Sequence, residues 1–164
     1  MKQPLVSIIL TSYNFESYIG QSISSLLNQS INTTIEFIIV DDSSKDRSPS
    51  IIKDFASHHE NITFIHHPIN KGASYSINEA FALARGKYLC RFDGDDSWDV
   101  DFLKKMVAIL EEHTEVGLAY CNCSYINLNG EITNRDVPTR RKTTSIIAHE
   151  FNDLLTDYYI TAPT

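Results

Sequence analysis

An acidic cluster, Asp93-Gly94-Asp95-Asp96, stands where a short β-rich stretch ends. Side chains two residues apart on an extended backbone point the same way, so Asp93 and Asp95 can direct both carboxylates at one point. Two carboxylates about 4 Å apart repel by roughly 4 kcal/mol at an effective dielectric near 20, which favours a bound cation. Mg²⁺ and Mn²⁺ accept such oxygen ligands and complete their shells with water and phosphate. The cluster predicts a divalent cation site, with ordinary turn residues as the alternative interpretation.

A second acidic pair, Asp41 and Asp42, follows the apolar run at residues 35–40. Adjacent side chains on a strand face opposite ways, so we expect only one of the two carboxylates to enter a ligand crevice. A single carboxylate there would accept a hydrogen bond from a ring N–H or a ribose hydroxyl. A turn without any ligand is again the alternative.

The elements that must position these acids alternate along the chain. Apolar runs predict strands at residues 5–10, 35–40, 62–65, 87–93 and 118–126, and helical spacing predicts helices at 19–27, 49–56 with Ser48 as N-cap, 73–84 and 100–110. Parallel strands need helical crossovers, so this order predicts an α/β fold, a doubly wound and mostly parallel sheet with flanking helices. Its ligand crevice would lie beyond the carboxyl ends of the strands, where both acidic clusters fall.

The regular alternation of strands and helices ends at the turn predicted at Asn129-Gly130. We therefore predict an α/β domain at residues 1–130 and the start of a second region at 131–164. Within that region, Arg140-Arg141-Lys142 is interpreted as a solvated loop.

Composition limits the function classes. The 164 residues carry a net charge of -7, which disfavours nucleic acid and anionic membrane surfaces as partners. No apolar run approaches the roughly 18 to 20 residues that a membrane span needs, and the N-terminus lacks a signal-peptide pattern. With three cysteines and no such signal, we expect a cytoplasmic protein without disulfides, in which Cys121 and Cys123 are buried small hydrophobes rather than a metal pair.

Four of the six histidines form two adjacent pairs, at residues 58–59 and 66–67. Adjacent spacing at the edge of an element is not that of a helical metal site. We interpret all four as exposed or capping residues. Trp98 is interpreted as a packing residue beside the acidic cluster.

Five motifs in register between residues 5 and 100 resemble the successive signatures of glycosyltransferase family 2. They are VSIILTSYN at 6–14, SISSLLNQ at 22–29, IIVDDSS at 38–44, NKG at 70–72 with Asn78, and GKY at 86–88 continuing to FDGDDSW at 92–98. The resemblance implies a GT-A fold with a Rossmann-like nucleotide-binding half. It makes residues 1–130 the nucleotide-sugar-binding domain and residues 131–164 the start of the acceptor-side region. It also implies a nucleotide-diphosphate sugar as donor, with UDP, GDP or dTDP as the nucleotide.

The same resemblance assigns the nucleoside side of the site. Thr11 and Tyr13 match positions that flank the nucleoside, Tyr13 by stacking on the base. Asp42 matches the carboxylate that contacts the base, and Asp41 its neighbour near the base and the ribose.

On the diphosphate side, Asp93 and Asp95 match the Asp-x-Asp motif that holds Mg²⁺ or Mn²⁺, with Asp95 the direct ligand. Lys71 and Asn78 match further nucleotide-binding positions. Ile77 stands where many members have a basic residue, which leaves Lys71 as the expected cation for phosphate.

The implied reaction is metal-assisted transfer of the sugar to an acceptor hydroxyl, on a saccharide or lipid-linked saccharide, with inversion. We expect the catalytic base beyond Thr164, since Glu150, Asp153 and Asp157 come too early to match it. A non-catalytic nucleotide-sugar-binding module is the alternative. A phospho-acceptor signalling domain is disfavoured, because the first strand ends in TSYN rather than in paired acids. We further expect a location at the inner face of the membrane and self-association through apolar residues of the final segment, Phe151, Leu154 and Leu155.

Overall fold

The computed structural model describes residues 3–127 and 131–137, with side chains as far as Asn134. The strands are β1 (Val6–Ser12), β2 (Ile35–Asp41), β3 (Ile62–His66), β4 (Tyr88–Asp93), β5 (Cys123–Ile126) and β6 (Ile132–Val137). The helices are α1 (Ile19–Leu27), α2 (Ser48–His58), α3 (Ala73–Leu83) and α4 (Phe102–Glu112). The predicted alternation of strands and helices is therefore confirmed through α4.

Strands β1 to β4 form one parallel sheet in the order β3-β2-β1-β4. The chain steps outward from β1 to β3 and then returns to β4 on the other side of β1, so the strand order reverses at the β1/β4 junction. Such a reversal is where open α/β sheets form their ligand crevice. The prediction of an α/β, mostly parallel sheet with flanking helices is confirmed.

The core explains why the sequence adopts these elements. β1 is buried along nearly its whole length, as expected for a central parallel strand covered on both faces. Ile9, Ile38, Val40 and Ala80 pack together where α3 covers one face of the sheet. On α1, buried residues recur at i, i+4 and i+7, which is the spacing of one helix face.

The helix at 48–58 begins one residue earlier than the sequence predicts. Ser48 is its first residue and follows an N-cap at Arg47. The Ser48 hydroxyl does not cap this helix. It accepts the backbone N–H of Phe15 at 2.9 Å, while Asp46 accepts the N–H of Ser48 at 2.9 Å.

The predicted fifth parallel strand is wrong. β5 begins only at Cys123 and pairs antiparallel with β6, which lies beyond the last strand that the sequence predicts. Cys121 is exposed and Cys123 half-buried, so their prediction as buried hydrophobes is also wrong. The reason is that a two-stranded ribbon covers few of its side chains: Tyr125 and Ile126 are 47% and 44% exposed.

The chain divides into two compact units, one ending at Lys104 and the next beginning at Lys105. The domain boundary that the sequence predicts at residue 130 stays a prediction, since residues 128–130 lie outside the described part of the chain. The predicted turn at 129–130, the basic run at 140–142 and the apolar residues at 151–155 lie outside the described residues. None of the helices in the described part of the chain has the length and apolar character of a bilayer-crossing segment.

A buried acid fastens the turn between α3 and β4 to the centre of the sheet. Glu36 accepts hydrogen bonds from the Ser7 hydroxyl at 2.5 Å and from the backbone N–H and guanidinium of Arg85, at 2.7 and 2.6 Å. Burial alone would raise the pKa of Glu36, but these donors outweigh it and hold the pKa below its usual range. The Ser7 hydroxyl in turn accepts the N–H of Gly86 at 2.7 Å.

We expect Gly86→Ala to lower the free energy of unfolding by about 1 to 3 kcal/mol, because close packing leaves no room for a methyl group. A Cβ at Gly86 would lie 2.5 Å from the backbone nitrogen of Ser7 and 2.6 Å from its hydroxyl oxygen. Gly20→Ala is the control, since its nearest neighbour would be a side-chain carbon of Ile51 at 3.8 Å. Because alanine favours helix, this control should gain up to about 1 kcal/mol. Urea denaturation measures both, and equal stability of the two variants would contradict the prediction.

Candidate functional site

The carboxyl ends of β1, β2 and β4 meet at one edge of the sheet. Thr11 stands in register with Asp93 on β4, and Ser12 stands in register with Asp41 on β2. Tyr13 follows directly and is 47% exposed. The structure thus brings the acids predicted from two separate motifs to the edge where the first strand ends.

The loops after β1 and β2 are joined by hydrogen bonds. The Asn14 amide oxygen accepts the N–H of Lys45 at 2.8 Å, and the N–H of Asn14 donates to the Ser44 hydroxyl at 2.8 Å. Asn14 and Ser43 both adopt left-handed backbone, with φ of 58° and 68°. These bonds hold the backbone beside Tyr13 while its ring stays accessible to a ligand.

Asp41 differs from its prediction as a crevice residue. Its side chain is fully buried, and one carboxylate oxygen accepts the N–H of Ser44 at 3.0 Å. The same oxygen lies 3.0 Å from the His66 imidazole nitrogen Nδ1. Asp41 therefore closes the turn after β2, and its carboxylate does not face the crevice.

Asp42 is also buried, with only 4% of its surface exposed. Its carboxylate accepts the backbone N–H groups of Lys71 at 2.8 Å and Gly72 at 2.7 Å. Burial alone would raise the pKa of Asp42, but the hydrogen bond from His67 and these two N–H groups hold it below its usual range. Both acids order loops, and the expectation that one of the two enters the crevice stays a prediction.

His67 is the main correction to the sequence analysis, which interprets it as exposed or capping. It is 2% exposed and lies between two carboxylates, with Nδ1 2.8 Å from Asp42 and Nε2 2.6 Å from Glu79. Burial would lower the pKa of His67, but the hydrogen bonds to Asp42 and Glu79 outweigh it and raise the pKa above its usual value. No local signal reveals this contact, since Glu79 lies twelve residues farther along the chain.

Lys71 and Asn78 are both exposed at this edge. The ammonium nitrogen of Lys71 lies 4.4 Å from the centre of the Tyr75 ring, and Tyr75 packs edge-on against His67 with ring centres 5.8 Å apart. A cation over an aromatic face is held with a defined direction. The Tyr75 ring thus helps to fix the position of the positive charge on Lys71.

The carboxylates of the acidic cluster at the end of β4 have fewer hydrogen-bond donors than those of the acids at the end of β2. Asp93 pairs with Arg91 of its own strand at 2.6 Å, and Asp95 is half-buried. Within the described residues, one buried carboxylate oxygen of Asp96 has no hydrogen-bond partner. Burial, then the charges of Asp95 and Asp93, raise the pKa of Asp96 to about 7 against the opposing charge of Arg91.

This environment fits a divalent cation. No three His, Cys, Asp or Glu side chains converge into a full cage in the part of the chain that the structure describes. Mg²⁺ and Mn²⁺ do not need such a cage, because one or two carboxylates with water and phosphate complete their shell. A cation would also supply the partner that the Asp96 oxygen lacks. The sequence leaves Asp96 open between a place in the cation site and a turn or capping residue.

Ser22 on α1 anchors the acidic cluster from behind. Its hydroxyl lies 2.8 Å from the carbonyl oxygen of Gly94 and 2.7 Å from that of Asp96. The only sign of this role in the sequence is a serine on the buried, otherwise apolar face of α1. Trp98 packs between Phe92 and Phe102, with ring centres 5.0 and 4.3 Å away, which confirms its interpretation as a packing residue.

Comparison with known proteins identifies the family. Residues 7–160 match the model of "Glycosyl transferase family 2". An uncharacterized glycosyltransferase of Methanocaldococcus jannaschii is 31% identical over 157 residues, covering 95% of this chain and 54% of that protein. Chondroitin synthase of Escherichia coli is 32% identical over 153 residues, covering 90% of this chain and 22% of that protein. The chain thus spans about half the length, or less, of these relatives.

Solved structures agree with this family. TarS of S. aureus in complex with UDP-GlcNAc has a TM-score of 0.62 and 30% identity, covering 66% of this chain and 32% of that one. The mannosyltransferase PcManGT of Pyrobaculum calidifontis, in complex with GDP-Man and Mn²⁺, has a TM-score of 0.61 and 26% identity over 66% of this chain and 33% of that one. With the GT-A-type sheet and the match over nearly the whole sequence, the chain belongs to glycosyl transferase family 2.

Proposed function

We propose that the chain binds a nucleotide-diphosphate sugar together with Mg²⁺ or Mn²⁺, and that the complete enzyme transfers the sugar to an acceptor hydroxyl with inversion. The observation that carries this proposal is the register of Thr11 with Asp93. It supports the proposal because we assign Thr11 to the nucleoside and Asp93 to the cation on the diphosphate. TarS has been solved with UDP-GlcNAc and PcManGT with GDP-Man and Mn²⁺, which supports the donor class and the cation.

The donor would lie across this edge with its base toward the end of β1. The exposed Tyr13 ring offers an apolar face for stacking beside Thr11. Lys71 supplies positive charge for the phosphates, and Asn78 adds an exposed amide on α3. We assign Asp41 and Asp42 an indirect part, the ordering of the loops that present these groups.

Asp93, Asp95 and Asp96 are the residues that would hold the cation. A divalent cation bound there supplies positive charge that stabilises the diphosphate more in the transition state than in the ground state. Asp95 is our first choice of ligand, because Arg91 already pairs with one oxygen of Asp93.

Transfer also needs a general base and an acceptor site. The candidates Glu150, Asp153 and Asp157 lie outside the described residues. The relatives are longer than this chain, and we propose that the base follows residue 164 in the complete enzyme. The acceptor, a saccharide or lipid-linked saccharide, and the location at the cytoplasmic face of the membrane stay predictions.

The test is calorimetric titration of the purified protein with UDP, GDP and dTDP, each with and without Mg²⁺ or Mn²⁺. We expect cation-dependent binding of one nucleotide above the others. Absence of binding to all three would contradict the proposed function. Incubation with labelled nucleotide-sugars and candidate acceptors then distinguishes a transferase from a binding module, since only a transferase forms a labelled product.

Asp95→Ala should lower nucleotide affinity measured with Mg²⁺ to the level measured without it, because a water-rich site loses one of its few protein ligands. Asp54→Ala is the control: its side chain is 76% exposed on α2, and the variant should keep the cation dependence. If Asp95→Ala keeps that dependence as well, Asp95 is not a ligand.

Ser22→Ala should lower the free energy of unfolding by about 1 to 3 kcal/mol, because it leaves carbonyl groups of the acidic cluster without their donor. It should also weaken cation-dependent nucleotide binding. Ser24→Ala, in the same helix, is the control, since the Ser24 hydroxyl bonds within its own helix, to Gly20 at 2.7 Å. Its stability should stay within about 0.5 kcal/mol of the parent protein. Equal effects of the two substitutions in urea denaturation would rule out the anchoring role.

A further inference from the structure

We propose that His67 and Glu79 are positioning residues for the nucleotide donor: with Asp42 they form a protonation-dependent clamp on the loop at residues 70–72, which carries Lys71. This inference rests on the proposed function for its effect on nucleotide binding. The clamp itself is a property of the described residues and can be measured without a ligand.

The first step is that the Asp42 carboxylate holds the loop by its backbone. It accepts the N–H of Lys71 at 2.8 Å and of Gly72 at 2.7 Å, while the Asn70 amide donates to the Asp42 carbonyl at 3.1 Å. Gly72 has φ of 88°, a left-handed conformation that this turn into α3 requires. The position of the loop therefore depends on where the Asp42 carboxylate points.

The second step is that His67 sets the direction of that carboxylate. Nδ1 of His67 lies 2.8 Å from the same Asp42 oxygen that accepts the Lys71 N–H. The ring is fixed from its other side by Glu79, 2.6 Å from Nε2. His67 follows β3 and thus joins Asp42, at the end of β2, to Glu79 on α3, the helix that the loop leads into.

The third step concerns the proton. Each ring nitrogen faces a carboxylate oxygen, and only a doubly protonated imidazole donates to both. In a neutral ring, one of the two nitrogens would carry a lone pair that faces a carboxylate oxygen. Such a contact between two hydrogen-bond acceptors is costly in a buried site. The clamp in this geometry therefore contains one cation between two anions.

The fourth step connects the ring to the Lys71 side chain. Tyr75 packs edge-on against His67, and its ring face lies 4.4 Å from the Lys71 ammonium nitrogen. The loop backbone and the lysine head group are thus both supported by His67. If His67 loses its place, the charge proposed to meet the diphosphate loses both supports.

The charged and titratable groups that face His67 give the direction of the pH dependence. Asp42 from the end of β2 and Glu79 from α3 favour the imidazolium, the Lys71 charge opposes it, and Tyr75 contacts the ring through its edge. A pKa raised on folding stabilises the clamp at low pH, and that contribution is lost as the pH rises through the raised pKa. We therefore expect the loop to loosen, and nucleotide affinity to fall, on the alkaline side of the usual histidine range.

The experiment measures two quantities on the parent protein from about pH 6 to about pH 9, the range in which histidine charge changes. Hydrogen-exchange protection of the Lys71 and Gly72 amides, corrected for intrinsic rates, reports the clamp without ligand. Calorimetry with UDP and Mg²⁺ reports binding. We expect protection and affinity to fall together as the pH rises. If UDP does not bind, GDP and dTDP take its place; if none of the three binds but protection shows the inflection, the proposed function fails and the clamp stands.

Glu79→Gln is the decisive variant. The introduced glutamine amide can donate to Nε2 of a neutral ring whose Nδ1–H still donates to Asp42, so both hydrogen bonds survive without the charge. We expect protection and UDP affinity close to the parent protein at low pH and no fall at high pH. An inflection as large as that of the parent protein would overturn the proposal. The titration of UDP itself is common to both proteins and cancels in the comparison.

His67→Phe should lower UDP affinity by about ten-fold at low pH, where the clamp of the parent protein is formed, because the binding-competent loop becomes a minority conformation. Its difference from the parent protein should shrink as the pH rises. His58→Gln is the matched control: this histidine is exposed on α2 beside Asp54 and should leave both profiles unchanged. Should His67→Phe fail to fold, the pH profile of Glu79→Gln still decides the question. Unchanged protection in a folded His67→Phe protein would overturn the clamp.

Asp42→Asn separates loop positioning from recognition of the base. An asparagine amide turns N–H donors toward the loop N–H groups, so the clamp predicts similar losses of affinity for UDP and GDP. A loss confined to one nucleotide would instead assign Asp42 to the base and overturn its place in the clamp.

Discussion

The parallel pairing of β1 with both β2 and β4 is the constraint on which the arrangement of the site depends. Because β1 bonds to a neighbour on each side, the turns after three strands open at one edge. Thr11 is placed opposite Asp93, and Ser12 opposite Asp41, by register alone. β1 is buried on both faces, and this register is costly to change. A slip by one residue would exchange the side chains that pack on its two faces.

The acids of the sheet fall into two groups, according to how completely their carboxylate oxygens are hydrogen-bonded. Glu36, Asp41 and Asp42 are buried, and each accepts backbone N–H groups of a loop or turn together with a side-chain partner. Burying a carboxylate is costly unless such donors replace its water. These three acids therefore determine loop conformation, and substituting one of them should change the conformation of the loop that it holds.

The acids after β4 behave in the opposite way. Asp96 keeps a buried oxygen without a hydrogen bond among the described residues and has a pKa raised to about 7, while Asp95 and Asp93 add negative charge nearby. Repulsion that the fold does not relieve is typical of a site organised around a ligand. Arg91 offsets only part of this repulsion, which is why we place the cation here and not beside the acids at the end of β2.

The sequence by itself determined the strands and helices of the four-stranded α/β unit. Their hydrophobic periodicity is a local property, and the parallel sheet forms from elements that this periodicity already specifies. The sequence also located Asp93, Asp95, Thr11, Tyr13 and Lys71 at the ends of strands. Tertiary structure decided which carboxylates face inward and which strands pair. The burial of Asp42 depends on His67, 25 residues away, and that of His67 on Glu79, so no local pattern encodes either. The pairing of β5 with β6 was likewise decided by which partner strand was available, and the apolar pattern of one strand does not specify its neighbour.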